Sequence, residues 1–256
     1  MARDFDDASE QYLETDSPRL TAEPFTLACW AVNDDTALTH ALVWFGRSDV
    51  GNDRHYVGVS ISGAVVAVTV DGATTGTATA GSPGNGVLFH AAGVWASDSS
   101  RTAYLNGAPG TEDTTATAVS GENRISIGRS GDSTPAIYHD GLIAHAAAWN
   151  AALTTAEIAQ LAKRVPPWLI RPQALVHYWP LWGRHTTEPD LVGATGLTVT
   201  GATFAADPVG LLIPLPRRLI TTAAAVAGGR IMGSLAGAGG LAGPGGIAGR
   251  GGGLAG

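Results

Sequence analysis

Tyr56-Val-Gly-Val-Ser-Ile-Ser-Gly-Ala-Val-Val-Ala-Val-Thr-Val-Asp-Gly72 reads as two short β-strands, 56–62 and 64–70, joined by a turn at Ser62-Gly63. Asp71-Gly72 then supplies a pair that tolerates positive φ, as a tight hairpin requires. The same grammar recurs on both sides. Upstream, Phe25-Thr-Leu-Ala-Cys-Trp-Ala-Val32 alternates Phe25, Leu27, Cys29 and Ala31 against Thr26, Ala28, Trp30 and Val32, so both faces look at least partly buried. Downstream, 90–96 and 101–106 pair off ahead of an Asn106-Gly107 turn, and 124–128 and 141–149 complete the series. Many short strands with Gly-rich turns predict a sandwich or barrel.

One helix interrupts the pattern. Thr154-Thr-Ala-Glu157 forms a capping box, in which the Thr154 hydroxyl accepts from the Glu157 amide while Glu157 reaches back. Ile158, Leu161 and Val165 share one face, and Pro166-Pro167 ends the helix. Being short and single, it is expected to plug one end of the sandwich.

Composition bounds the class. The 256 residues include 35 Gly, 14 Pro and one Cys, and only 14% are charged, against about 25% in an average soluble domain. No apolar run reaches the ~18 residues of a membrane-spanning helix, so membrane insertion is not expected. Met1-Ala-Arg-Asp-Phe5 lacks the apolar core of a secretion signal. A single Cys29 makes no internal disulfide. The net charge of −7 disfavours nucleic acid as a partner. That charge is unevenly placed. Beyond Asp207 the chain holds Arg217, Arg218, Arg230 and Arg250 and no acidic residue, while 1–207 carries −11.

The order of motifs resembles the concanavalin A-like, laminin-G-type jelly roll of lectin-like modules, pentraxins and many phage proteins. The phrases that carry the resemblance are Phe5-Asp-Asp-Ala-Ser-Glu-Gln-Tyr-Leu-Glu14, Phe25-Thr-Leu-Ala-Cys-Trp30, Phe89-His-Ala-Ala-Gly-Val-Trp95 with Ala103-Tyr-Leu-Asn-Gly107, and Ile127-Gly-Arg-Ser-Gly131. His139-Asp-Gly-Leu-Ile143, Trp149-Asn-Ala-Ala-Leu153 and Glu157-Ile158 follow in the same order. The resemblance implies an all-β jelly-roll β-sandwich of two antiparallel sheets with one short helix, over residues 1–208. Two phrases, Leu175-Val-His-Tyr-Trp-Pro-Leu181 and 190–204, usually precede the opening strand in such proteins, whereas here they follow the helix. A circular permutation accounts for this, with 175–205 supplying strands to the same two sheets. About 35 residues could not bury a core of their own.

Some proteins of this family hydrolyse glycans with paired carboxylates on one strand. The near matches here, Glu112-Asp113 and Glu188-Pro189-Asp190, sit among turn residues without a third carboxylate. Cys29 falls inside a core strand, where a structural thiol is expected rather than a nucleophile. His139 and His145 lie too far apart to share a zinc ion without further ligands. No catalytic residue is therefore nominated and no cofactor is required.

Calcium sites in the family use rim carboxylates as hard oxygen ligands. By position the candidates are Asp6, Asp7, Asp132 and Asp140. The acidic pair that the family usually carries after the last phrase is replaced by Ile143-Ala-His-Ala146. A sugar would also want an exposed aromatic platform, for which Trp44, Trp182 and Trp168 are the candidates.

The tail, 209–256, is Pro-, Ala- and Gly-rich. A six-residue repeat, L/I-A-G-x-G-G, begins at Leu235, Leu241 and Ile247, and Pro244 and Arg250 fill its variable place. At three residues per turn those apolar side chains fall in one line. An extended glycine-rich tail of this kind suits a polyglycine-type bundle, a collagen-like trimer, a strand laid on a neighbour, or a flexible linker. With Arg217, Arg218, Leu235, Leu241, Pro244, Ile247 and Arg250 as assembly residues, the expected partner is another copy of the chain, joined head to tail. The leading expectation is a non-enzymatic structural subunit of a multimeric assembly, located in a virion or extracellular filament. The alternative is a glycan-binding adhesin or decoration module tethered by its tail.

Overall fold

A computed structural model describes residues 1–35 and 37–212. The assembly residues expected between Arg217 and Arg250 lie outside them. The first half of the sandwich comprises β1 (Ala2–Phe5), β2 (Tyr12–Thr15), β3 (Phe25–Asn33), β4 (His40–Gly46), β5 (Asp53–Val59), β6 (Val65–Asp71) and β7 (Thr74–Thr79). There follow β8 (Phe89–Ser97), β9 (Ser100–Leu105), β10 (Ala108–Pro109), β11 (Arg124–Ile127), β12 (Gly141–Trp149) and helix α1 (Thr155–Ala162). After a short 3-10 turn, Pro167–Leu169, come β13 (Leu175–Trp179), β14 (Thr187–Glu188), β15 (Leu197–Thr200) and β16 (Thr203–Ala205).

These strands make two antiparallel eight-stranded sheets. The first runs β10-β9-β8-β3-β12-β1-β16, with β13 also paired to β12, and the second runs β14-β15-β2-β11-β4-β5-β6-β7. β1 pairs with the first part of β12 (Arg3↔Ile143) and β13 with its last part (Ala147↔Tyr178). The late segments thus enter both sheets: β15 lies on β2 (Val199↔Leu13) and β16 on β1 (Arg3↔Phe204).

Alternation along the strands sends Phe25, Leu27, Cys29, Val43, Phe45, Val57, Ala67, Trp95, Ile125, Ile143 and Trp179 into the space between the sheets. Each large side chain buried there contributes roughly 1.5–3 kcal/mol. Cys29 is part of that packing, and burial pushes its thiol pKa up, away from nucleophilic use. The turns take the expected form, with positive φ at Gly63, Gly72, Asn106 and Gly107.

Both faces of several strands are apolar because each sheet is also covered from outside. Over the first sheet lie α1 and the 3-10 turn, burying Ala28, Ala92, Tyr104, Ala147, Trp149, Ile158 and Leu161. The capping box is present, with Glu157 N donating to Thr154 Oγ1 at 3.3 Å and Thr154 N donating to Glu157 at 2.7 Å. The helix therefore lies across a sheet face rather than in an end of the sandwich. Trp149 donates from Nε1 to Ile170 O at 2.9 Å, tying the sheet to the segment after the helix.

Candidate functional site

The outer face of the second sheet is treated differently. Cross-strand register places Trp44, Tyr56, Val68 and Thr77 in one row and Arg54, Val70 and Thr75 in the next, all pointing away from the core. The segment 129–138 folds over one end of that face. It is closed on itself by Ser130 N to Ala136 O at 2.9 Å and Ala136 N to Ser130 Oγ at 2.8 Å. Gly131 lies so close to Trp44 that a Cβ there would sit 3.0 Å from the ring. Asp132 pairs with Arg54, and Ala41 N donates to Ile137 O at 2.9 Å, so the segment is anchored at both ends of the row.

What the segment leaves uncovered is a hollow of about 350 Å3. Tyr56, Val66, Val68 and Val70 form its floor, and Asn52, Arg54, Ser60, Thr75 and Thr77 its polar rim. The Arg54 Nε is buried without a hydrogen-bond partner among the described residues. An apolar floor edged by hydroxyls, an amide and a guanidinium suits a ligand with one apolar and several polar faces.

Thr39 joins this hollow to a second one, of about 400 Å3, lined by Asp7, Leu38, Ala136, Ile137 and Tyr138. Beside it, carboxylate oxygens of Asp6, Asp7 and Asp140 lie within 4.8 Å of one another. Asp6 and Asp7 follow β1, where Asp6 accepts from Ala8 N at 3.1 Å and Ser9 Oγ at 2.6 Å. Asp140 precedes β12, and its carbonyl accepts from Asp34 N at 3.0 Å. Burial, then the neighbouring charges of Asp7, Asp34 and Asp6, hold the Asp140 pKa above its ordinary value. A hard cation would relieve that repulsion, and three carboxylates supply a good share of the six to eight oxygens calcium takes.

The sequence-based metal set therefore divides. Asp6, Asp7 and Asp140 converge, whereas Asp132 is committed to Arg54 and does not join them. Trp44 is 0% exposed beneath the 129–138 segment and offers no face to a sugar. Its outward register alone suggests exposure; a segment 85 or more residues later covers it. Trp182 is half-buried and, with Trp168, borders a separate pocket on the other sheet. Sequence reasoning misses the floor and rim residues, although Val66, Val68 and Val70, apolar on the outward face of a hairpin strand, are a readable signal.

The carboxylates weighed for catalysis have structural tasks. Glu188 is buried, bonded by Arg3 Nε at 2.7 Å and by the amides of Trp182 and Gly183 at 2.9 and 2.7 Å. Asp190 takes His177 Nδ1 at 2.6 Å and the amides of Tyr178 and Gly193 at 3.0 and 2.9 Å. Asp113 pairs with Arg101, and Glu112 with Ser100. His139 and His145 are likewise apart: His139 bonds Val32 O at 3.1 Å, His145 the Tyr178 hydroxyl at 2.8 Å.

Residues 7–159 match the family profile of the concanavalin A-like lectin/glucanases superfamily, laminin G type. The chain belongs to this family. No curated protein sequence matches it. Among solved structures, a Bacteroides ovatus protein whose name assigns it provisionally to carbohydrate binding is similar at 17% identity and a TM-score of 0.58, over 80% of this chain and 60% of its own. A Streptococcus pneumoniae NanB sialidase mutant is similar at 17% identity and TM-score 0.53, over 62% of this chain and 27% of its own. A heptameric SAP-like pentraxin from Limulus polyphemus is similar at 15% identity and TM-score 0.52, over 65% of this chain and 83% of its own. The chain thus spans less than two thirds of the first two, and at these identities the likeness is one of fold.

Proposed function

We propose that this chain is a glycan-binding module of the concanavalin A-like family, with its ligand in the hollow on the outer face of the second sheet. The observation that carries the reading is the pairing of an apolar floor, Tyr56 and Val66–Val68–Val70, with a rim of hydroxyl, amide and guanidinium groups. A pyranose has the same division, a C–H face and a belt of hydroxyls. Membership of a lectin and glucanase family supports the reading, as does the likeness to a protein assigned to carbohydrate binding. The commitment of Glu188, Asp190 and Asp113 to structural partners favours binding over hydrolysis. It is the second of the sequence-based readings that gains this support; the virion or filament subunit gains none.

Calcium joins the reading through Asp6, Asp7 and Asp140, beside the hollow that shares Thr39 with the ligand site. Glycan-array binding of the full chain, with calcium and with chelator, tests both parts. Binding to defined oligosaccharides is expected, and Thr77→Trp, which fills the hollow from an exposed edge position, is expected to remove the part of it that the hollow carries. Calcium at a hundredfold excess over its Kd is expected to stabilise the fold by about 2.7 kcal/mol, an effect lost in Asp140→Asn. Glycan binding undiminished in T77W would overturn the site, and a melting temperature indifferent to calcium would overturn the ion.

Self-association through the tail is a separate reading, favoured by the +4 charge after Asp207 opposite −11 before it. Light scattering of the full chain beside a 1–220 truncation tests it. Oligomers lost on truncation are expected, and a monomeric full chain would end it.

A further inference from the structure

The opposite sheet carries a second pocket that the glycan-binding reading does not use. It measures about 350 Å3 and is walled by Trp168, Tyr178, Trp182 and Leu191. With the exception of His145, its lining residues lie beyond the segment matched by the family profile.

A β-bulge builds its base. The register of β12 on β3 shifts between Ala144 and Ala147, and His145 takes φ 52°, a left-handed conformation that a non-glycine residue adopts only under constraint. The extra residue turns His145 onto the outer face, where its Nδ1 is bonded to the Tyr178 hydroxyl at 2.8 Å. The residue lines the pocket, and its buried Nε2 lies 3.5 Å from Asp207 Oδ1 with no hydrogen-bond partner among the described residues, the residue being only 8% exposed. A buried unpaired ring nitrogen costs stability unless something else satisfies it. The Trp168 ring lies 5.4 Å from that of Tyr178 and is 37% exposed, and Leu191, 51% exposed, lines the same pocket.

We infer that this pocket is a second saccharide site, taking a neutral pyranose with its C–H face on Trp168 and its hydroxyls on His145 Nε2 and Asp207. Charge selects the neutral class. Among its described lining residues there is no Lys or Arg for an acidic sugar, and the one carboxylate, Asp207, already accepts from the Met1 ammonium and from the Val209 amide, each at 2.9 Å, which leaves no free anion there for a cationic ligand. The polar pair at the base and the aromatic wall give the two kinds of contact a sugar ring needs. Two sites on opposite sheets would let one domain hold a polysaccharide at two points and gain avidity from effective concentration.

The inference extends the glycan-binding reading but can fail separately from it. The test is saturation-transfer NMR on the full chain with methyl glycosides of glucose, galactose, mannose and N-acetylglucosamine. Trp168→Ala and Leu191→Arg serve as variants of this pocket, and Thr77→Trp as the variant of the other. Expected is a pyranoside signal that survives T77W and whose affinity falls about tenfold in W168A and L191R. Two variants are used so that a folding defect in W168A does not decide the matter. Binding abolished by T77W and untouched by both pocket variants would overturn the second site and leave the first. Absence of any binding to the panel in the wild-type chain would overturn this site, while the array result judges the first on its own.

Discussion

The two outer faces of the sandwich start from similar sequence and end differently. On the first sheet, Ala28, Ala92, Ala147 and Trp149 lie under α1 and the 3-10 turn, which supply Ile158, Leu161 and Ile170 as a lid. On the second, the 129–138 segment covers Trp44, bringing Gly131 against its ring, while Tyr56, Val66, Val68 and Val70, 3–8% exposed, lie at the bottom of a hollow beside it. An apolar outward row is thus a core layer or a binding floor depending on what arrives to cover it. The covering piece in each case comes from a different part of the chain, 150–170 for one face and 129–138 for the other.

The comparison is broken most sharply at Trp149. Its side chain is fully buried under the lid and bonded to Ile170 O, so Trp149→Ala is expected to cost about 3–5 kcal/mol. Val68→Ala removes two methyl groups at the bottom of the hollow, where the residue is 4% exposed, and is expected to cost about 1–2 kcal/mol. Urea denaturation of both variants measures the difference. Equal losses would mean that the two faces are sealed alike.

Acid probes both sides at once. Burial lowers the pKa of His90, beside Trp30 on the first sheet, to about 3, and burial with the neighbouring His40 does the same to His139 near the acidic rim. Each binds its proton more weakly in the folded state than in the unfolded one. Their contribution is therefore intact above the unfolded pKa near 6.5 and is lost as pH falls towards 3. Between pH 7 and pH 5 the loss is about 2 kcal/mol for each histidine. Denaturation midpoints at the two pH values check this, and His90→Gln is expected to remove about 2 kcal/mol of the loss.

The smallest effect belongs to the lid's own start. Thr154→Ala removes the acceptor for the Glu157 amide and is expected to cost about 1 kcal/mol by thermal unfolding. Because Trp149 and Ile158 hold the lid independently of its cap, the hollow on the opposite face should be undisturbed.

Much of the fold is legible in the amino-acid sequence. Alternation in 25–32, the hairpin at Ser62-Gly63, the Asn106-Gly107 turn and the capping box at Thr154 are local patterns, and each is found in its place. The site is legible only in part. Asp6, Asp7 and Asp140 are candidates by position and do meet, because the phrases that hold them end and begin strands β1 and β12, which pair directly (Asp4↔Leu142). Asp132 is a candidate through its position near the last family phrase, but the fold commits its carboxylate to Arg54. Trp44 is a candidate platform and is sealed, since no periodicity within 40–46 can report a segment that crosses it from 131. Trp182 and Trp168 are candidate sugar platforms in the sequence, but nothing there says that they border one pocket or that a bulge at His145 gives it a polar base.

By itself the sequence determined the helix with its cap, the glycine turns and most of the strands, though not 40–46 or 74–79, because those choices depend on neighbours two to four positions away. It also determined the segregation of basic charge after Asp207. The tertiary structure alone decided what covers each apolar face, which carboxylates converge and where a histidine nitrogen finds no partner among the described residues. Those outcomes are set by contacts between residues far apart in the chain, and they follow from how two sheets and two covering segments fill the space around them.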